Sequence, residues 1–577
     1  MPGIFGTNLN NNARIMEQEN RIYKSIKSNQ WYVELSGIKK FENDKTLYEN
    51  EKYIVLIDGV ILNLLDLKEK YLKNNLGDLV SQMYEQIGNE FFKDFRGNFC
   101  GFFQDKIKNK TLIYTNQMGD KPIFYYLNEN NIIFGSEIKH IIKCMQIKNM
   151  NYNLDEIGAY SLLTYGYMYD NNTLIKEIKR LLPGNYIKIE NNKIEEIVYY
   201  NISNREIENT QTEEQIMDII ERKFENAVKM QLDKNKEYGY ENYAPLSAGL
   251  DSRMTNYMIK KLTSSPIYNI TYSQTNQLDE IIPKQISSEL NNHWIFKNLD
   301  NGLALYNIDE SLKFTDGIIY YAWPSQLYDY MKFMNTDKMG IVHTGVIGDV
   351  IIATFNKDLN KRKYKIGDGA YSKKLVNKLN ELIKQKEYDN YEIGMMYNRA
   401  LNGAVLGYSM TFQYYTEAMS PFMNIEFMEY CLSLPLKYRL FHNIYYKWVK
   451  KYHKEAGKYS HNGIKIPEPN SLKLSFKGKK YAINTILTLV WRKIKVKINK
   501  NANMNPMQHW YETNEKLKEV MDSYYNDNIG LLENNMQLQQ DVANLYNNGK
   551  ANEKIQVITL LSFMKKFFMQ GEINNEI

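Results

Sequence analysis

Tyr243-Ala244-Pro245-Leu246-Ser247-Ala248-Gly249-Leu250-Asp251-Ser252-Arg253 decides how this chain reads. An apolar approach ends in Ser-Ala-Gly and is followed by a helix-compatible run from Asp251 through Lys261. That is the layout of a strand, a tight turn and a helix N-terminus, which can surround a polyphosphate with backbone N–H groups. Gly249 can supply an unusual φ and a close backbone approach, and Ser247 and Ser252 offer hydroxyls to phosphate oxygens. Asp251 is a carboxylate placed to hold Mg²⁺ against them. An ordinary glycine-containing strand-to-helix turn is the competing reading, and these eleven residues do not separate the two.

The pattern on either side of the loop sets its context. Thr212-Glu213-Glu214 opens a helical run through Lys229, a strand follows the loop at Ile267 to Tyr272, and a helix follows Leu278-Asp279-Glu280. Met339-Gly340-Ile341-Val342-His343-Thr344-Gly345 is another strand entering a glycine turn. Strands alternating with helices imply a parallel sheet whose ligand sits at the carboxyl ends of the strands, and the remainder of the chain reads as largely helical. Before residue 200 the signals are those of strands and hairpins: Tyr53 to Ile57, Gly97 to Phe103, Thr111 to Tyr114, Ile123 to Tyr126, Ile132 to Phe134 and Tyr186 to Ile189. Asn153 to Tyr165 reads as a helix. The expected division is 1–205 and 206–577, with the boundary in the polar stretch Ser203 to Thr212.

Composition excludes several classes. At 577 residues the chain exceeds one ordinary core. A net charge of +6 over that length argues for neither a nucleic-acid partner nor a membrane surface, and no nucleic-acid partner is expected. Cys100, Cys144 and Cys431 form no CxxC pair and so neither a disulfide framework nor a recognisable zinc site, which suits a cytoplasmic protein. The apolar runs Ile483 to Trp491 and Ile555 to Phe563 are too short to span a bilayer. Lys473 to Lys500 reads as a basic helical face, and Asn-rich pieces near Asn501 and Asn526 read as loops.

Taken in order, the pieces resemble the asparagine synthetase family over most of the chain. Members open Met-Cys-Gly-Ile-Phe-Gly and later carry Ser-Gly-Gly-Leu-Asp-Ser; here the stretches are Met1-Pro2-Gly3-Ile4-Phe5-Gly6 and Ser247-Ala248-Gly249-Leu250-Asp251-Ser252. Asp58-Gly59-Val60-Ile61-Leu62-Asn63, Gly119-Asp120-Lys121-Pro122, Phe134-Gly135-Ser136-Glu137 and Leu181-Leu182-Pro183-Gly184 are also family-like. The resemblance implies an α/β and α+β chain: an N-terminal-nucleophile-type layered sheet domain, then a parallel-sheet ATP pyrophosphatase domain with a helical C-terminal part.

Two departures imply that the first domain hydrolyses no glutamine. Pro2 stands where the family has its nucleophilic cysteine, and Asp58 stands where the family's Asn-Gly pair stabilises the oxyanion. In the second domain, Leu246, Ser247, Gly249, Asp251, Ser252 and Gly345 would bind ATP, and Asp251 and Asp349 would hold Mg²⁺. Val346 and Val350 replace two family glutamates, and Met419 replaces an arginine. Glu417 is the candidate base toward an amine, and Lys447 the best match to the family's essential lysine, with Lys450 and Lys451 close by. The implied activity joins a small-molecule or peptide carboxylate to an amine not taken from glutamine, as in β-lactam and lasso-peptide ring closure. A homodimer is compatible with it, and a non-catalytic binding or scaffolding protein is the alternative. Tyr320, Tyr321 and Trp323 fit either a core or a stacking wall.

Overall fold

Every residue of Tyr53–Ile61 is buried, so that strand must be covered on both faces. The computed structural model supplies both covers; it describes residues 3–11, 13–16, 22–191, 193–207, 210–360, 362–461, 466, 473–476, 479–482 and 504–569. Ile54 and Leu56 point inward to Trp31, Val33, Leu35, Phe102 and Phe134 between two sheets. Val55 and Ile57 point the other way, onto the helices Leu64–Tyr71 and Leu76–Ile87. The period of two in a β-strand produces this division.

The first sheet contains β1 (Gly3–Thr7), β2 (Ile22–Lys27), β3 (Tyr32–Gly37), β8 (Phe124–Asn128), β9 (Asn131–Gly135) and β10 (Ile178–Arg180), in the order β10-β8-β9-β1-β3-β2. The second contains β4 (Thr46–Glu49), β5 (Tyr53–Ile61), β6 (Gly97–Asp105), β7 (Lys110–Thr115), β11 (Asn185–Glu190) and β12 (Lys193–Val198), in the order β12-β11-β7-β6-β5-β4. Neighbours in both sheets run antiparallel. The outer face of the first sheet, through Phe5, Phe124 and Ile133, packs on the helices Ile138–Ile147 and Glu156–Tyr165. The result is four layers, helix, sheet, sheet and helix.

The second sheet system is parallel and five-stranded: β13 (Glu241–Pro245), β14 (Ile267–Ser273), β15 (His293–Asn298), β16 (Met339–His343) and β17 (Ala418–Met419), in the order β15-β14-β13-β16-β17. The chain winds outward from β13 through β14 to β15 and then returns to lay β16 on the other side of β13. Winding therefore reverses between β13 and β16, the point at which such a sheet places its ligand crevice.

β12 ends at Val198 and the helix Glu213–Tyr238, opened by a Thr212–Gln215 capping box, begins the second unit. The core does not divide there. Phe5, Ile138 and Leu162 share one cluster with Ile319, Trp510, Ile555 and Phe563. Polar contacts also cross over: Lys234 Nζ lies 3.1 Å from Asp44 Oδ1, both fully buried, and the Arg180 guanidinium donates to Asn402 Oδ1 at 2.6 Å. Ile555 to Phe563 lies inside the helix Ala551–Phe568, where every residue from Glu553 to Met564 is buried. Among the described residues no helix is long and apolar enough to cross a membrane.

Two local expectations are corrected. Asn526 lies within the helix Glu515–Asn528, whose Leu517, Met521 and Tyr525 spacing buries one face and overrides the polar composition. In the basic stretch, Lys473–Phe476 and Lys479–Ala482 pair as an antiparallel hairpin, not a helix. Residues 483–503, and with them Asn501, fall outside the described residues, as does Pro2.

Candidate active site

β13 delivers its last residue to a loop whose polar groups are almost all committed. Leu246 N–H donates to Ile270 O at 2.9 Å, its carbonyl accepts from Thr271 Oγ1 at 2.8 Å, and its side chain is buried with Ala248, Ile282 and Ile286. Leu246 therefore positions the loop, and its N–H is spent on the neighbouring strand. Ser247 and Ser252 place their hydroxyls 3.0 Å apart, and Ser247 Oγ also accepts from Gly249 N–H at 3.1 Å. Ala248 N–H is held by Asp279 Oδ1 at 2.9 Å. Asp279 was legible only as a helix-opening residue, because its partner lies thirty-one positions away.

Gly249 does not take the unusual φ expected of it: its φ of −68° and ψ of 153° are ordinary extended values at the N-cap of the helix Leu250–Leu262. What it supplies is space, since a Cβ there would meet only Ser247 Oγ. That helix has no side-chain cap, so its first-turn N–H groups face the loop available to an anion. Arg253, fully buried, donates to the carbonyls of Ala248, Ala456, Tyr459 and Ser460 and ties the loop to the 456–461 stretch.

The turn after β16 closes the crevice from the opposite side. A Cβ on Gly345 would stand 2.5 Å from Ser252 N, and one on Gly348 would stand 2.8 Å from Asp251 Cγ. Glycine is required at Gly345 because two backbones meet there, and at Gly348 because the Asp251 and Phe422 side chains fill the space. Gly345 therefore brings the second loop against the first. Ile347 between them has φ 60°, a left-handed conformation unusual for a β-branched residue, which places strain beside the site.

This closure brings the two sequence-predicted aspartates together. Asp349 N–H donates to Asp251 Oδ2 at 2.9 Å, and the Tyr445 hydroxyl donates to Asp251 Oδ1 at 2.7 Å. Burial, then the charge of Asp349, pushes the Asp251 carboxyl well above its ordinary range. Burial raises Asp349 as well, opposed first by His442 and more weakly by Arg399. Because the folded value of Asp251 is raised, the stability linked to its proton is present at low pH and lost as pH rises through that value. Metal-free protein is therefore expected to lose stability with rising pH more steeply than Asp251→Asn, as read by urea midpoints between pH 5 and 8, and Mg²⁺ should flatten the difference. Among the described residues, no three His, Cys, Asp or Glu side chains group as a metal cage. Two carboxylates leave positions on a hard cation for phosphate oxygens and water.

Lys447 is not part of this arrangement. The helix Asn443–Tyr452 turns Tyr445 to Asp251, and two residues on, about 200° around the helix, Lys447 pairs with Glu213. Lys451 pairs with Glu214 and Asp218 on the same side. Lys447→Ala is expected to change turnover less than threefold. His442 is the side chain brought in instead, on a turn in which Phe441 and His442 both have positive φ, and its ring stands 5.5 Å from that of Tyr446 and 5.6 Å from that of His461.

Glu417 is also displaced. It precedes β17, and its carboxylate turns away from the crevice to an ion pair with Lys121 of the first domain at 2.8 Å. Lys121 Nζ also lies 2.9 Å from Asp58 Oδ2, and Lys45 Nζ lies 3.8 Å from Asp58 Oδ1. All four side chains are buried. Burial pushes Asp58 upward, but Lys121 and Lys45 outweigh it and hold Asp58 low; at Glu417 burial prevails and its carboxyl is raised. Met419, at the arginine position, joins Phe41, Val60 and Ile341 in an apolar cluster. Cys100 is a buried thiol on β6, 3.9 Å from Ser136 Oγ, raised far above its ordinary range by burial.

The aromatic question is resolved residue by residue. Tyr321 is core: its hydroxyl donates to Leu305 O and its N–H to Thr559 Oγ1. Tyr320, Trp323 and Tyr371 form a cluster with centroids 4.9 to 6.3 Å apart, in which Trp323 is half-buried and Tyr371 is 39% exposed.

Comparison with known proteins matches residues 39–200 to a glutamine amidotransferase domain. A Methanocaldococcus jannaschii protein provisionally named asparagine synthetase 2 (glutamine-hydrolysing) is 25% identical over 275 residues, covering 45% of this chain and 52% of that protein. Asparagine synthetase 2 (glutamine-hydrolysing) of Bacillus subtilis is 28% identical over 152 residues, covering 25% of this chain and 20% of its own length. The chain thus matches about half the length of the first relative and less of the second. A solved glutamine phosphoribosylpyrophosphate amidotransferase from Bacillus subtilis is similar to 46% of this chain and 76% of its own, at 8% identity and a TM-score of 0.23.

Proposed function

We propose that this asparagine synthetase-like chain is an ATP-dependent, AMP-forming carbon–nitrogen ligase that takes its amine from a source other than glutamine hydrolysis, in natural-product or surface-polysaccharide biosynthesis. One observation carries this reading: Asp251 and Asp349, ninety-eight positions apart, meet at the uncapped N-terminus of the helix Leu250–Leu262, beside the Ser247–Ser252 hydroxyl pair. Two like charges held together by a backbone N–H suit a divalent cation, and the free helix N-terminus suits phosphate. A bound Mg²⁺ would neutralise the charge that develops on the leaving pyrophosphate.

The remaining work falls to the chain. Ser247 and Ser252 exchange their mutual hydrogen bond for phosphate oxygens, and Asp279 and Arg253 keep the loop from opening. A substrate carboxylate attacks the α-phosphorus as the bond to pyrophosphate breaks; the amine then adds to the acyl carbon and AMP leaves. Val346 and Val350, both partly exposed, contribute no base toward that amine. The independence from glutamine is supported by Asp58: at the position that the resemblance gives to an oxyanion donor stands a buried acceptor locked between Lys45 and Lys121.

Pyrophosphate release is the test. Purified protein with Mg²⁺, ATP and carboxylates drawn from its genomic neighbours' products should release pyrophosphate and AMP, with no dependence on glutamine and no glutamate formed. A second reading, a nucleotide-binding protein without turnover, is favoured by the apolar Val346, Val350 and Met419. Both readings expect Mg²⁺·ATP to stabilise the fold, by about 2.7 kcal/mol at one hundred times Kd, and to lose that effect in Asp349→Ala. Stabilisation without pyrophosphate from any carboxylate would select the second.

A further inference from the structure

Residues Met396–Val405 form a π-helix, a form that is rare at this length and concentrated at functional sites. The segment continues through the helix Leu406–Phe412 into β17, which is parallel to β16, so by its connection it starts on the side of the sheet that carries the turn after β16. Arg399 projects from it. The side chain is exposed, and among the described residues it makes one hydrogen bond, Nη1 to Gly369 O at 3.2 Å, and no ion pair. Gly369 stands two residues before Tyr371, so this bond holds the guanidinium on the side of the aromatic cluster. Gly369 lets it lie there: a Cβ at that position would meet Arg399 Cδ at 3.3 Å and Met395 Cε at 3.2 Å.

Beside this guanidinium stands the aromatic wall. Trp323 opens the helix Ala322–Met331, whose start is also at the carboxyl ends of the strands, and its ring centroid lies 6.3 Å from that of Tyr371 at an interplanar angle of 81°. Tyr320 backs both rings. The arrangement offers two different recognition elements side by side: a planar cation with donors to spare, and steeply angled rings with exposed surface.

We propose that Arg399, Trp323 and Tyr371 form the acyl-substrate subsite of the ligase site and select an aromatic carboxylate, the guanidinium taking the carboxylate and the rings taking the aromatic body. The subsite rests on the ligase reading of the crevice and names its substrate class. It also supplies a cation on the substrate side, where Lys447 is absent.

The probes are N-acetyl-L-phenylalanine, its neutral amide and N-acetyl-L-alanine, titrated without nucleotide by ligand-observed NMR. The wild-type protein should bind the aromatic acid at least tenfold tighter than either of the others. Arg399→Gln should remove the preference for acid over amide, and Tyr371→Ala, at an exposed position, should remove the preference for phenylalanine over alanine while leaving the circular dichroism unchanged. Equal binding of acid and amide by wild type, or a preference that survives Arg399→Gln, overturns the subsite. So does loss of Mg²⁺·ATP stabilisation in Arg399→Gln, which would make Arg399 a phosphate ligand. If wild type prefers the aromatic acid yet is not stabilised by Mg²⁺·ATP, the subsite stands and the ligase reading fails.

Discussion

Asp251→Ala should reduce pyrophosphate release at saturating ATP and Mg²⁺ by about a thousandfold. The carboxylate is one of two that can hold the cation, and charge neutralisation at a leaving pyrophosphate contributes several kcal/mol, which at 1.36 kcal/mol per factor of ten corresponds to roughly that loss. The substitution also frees the Tyr445 hydroxyl and the Asp349 N–H, both of which donate to Asp251. Tyr445→Phe separates these effects: it removes the donor and keeps the carboxylate, so it should lower the rate by far less. Steady-state rates for the two variants, with Mg²⁺ titrated, decide the matter; equal losses, or an Asp251→Ala rate within tenfold of wild type, would mean that Asp251 does not carry the metal.

Lys121→Met should destabilise the protein by about 3–5 kcal/mol, the effect of removing one partner from a buried charged group. Among the described residues Lys121 alone is ion-paired with both Asp58 and Glu417, at 2.9 and 2.8 Å, and it joins the antiparallel sheets to the start of β17. Without it two buried carboxylates lie together and lose their closest cation, with Lys45 3.8 Å from Asp58. The triple variant Lys121→Met, Asp58→Asn, Glu417→Gln removes the stranded charges and should recover a large part of the loss. Urea midpoints report both. Glu417→Gln alone provides a further check on its assignment: a base in the crevice would lose activity with stability unchanged, whereas a member of the ionic cluster should shift stability and leave the rate per folded molecule near wild type.

The parts of the fold legible in the sequence are those governed by neighbours in the chain. Thr111 to Tyr114 and Tyr186 to Ile189 read as strands because apolar runs between turn residues have no better local use, and both are strands. Asp251 was legible because the loop, its glycine and the helix start are contiguous. The turn after β16 was legible for the same reason, and so the pairing of Asp251 with Asp349 followed from two local patterns and one resemblance.

Helix phase and interdomain packing were not legible. Tyr445, His442 and Lys447 lie within six positions, and only the orientation of the helix Asn443–Tyr452 against Asp251 and Glu213 determines which of them reaches the crevice. Glu417 was assigned from the resemblance of its stretch to a family motif; its carboxylate instead answers to Lys121, 296 positions away. Arg399 carries no local signal at all. By itself, then, the sequence determined the layered and parallel-sheet architecture and the Ser247–Ser252 loop, since periodicity and turn chemistry act over a few residues. Only the tertiary structure decided which charges are spent inside the interface and which face the crevice, because that choice depends on segments that meet only after the chain has folded.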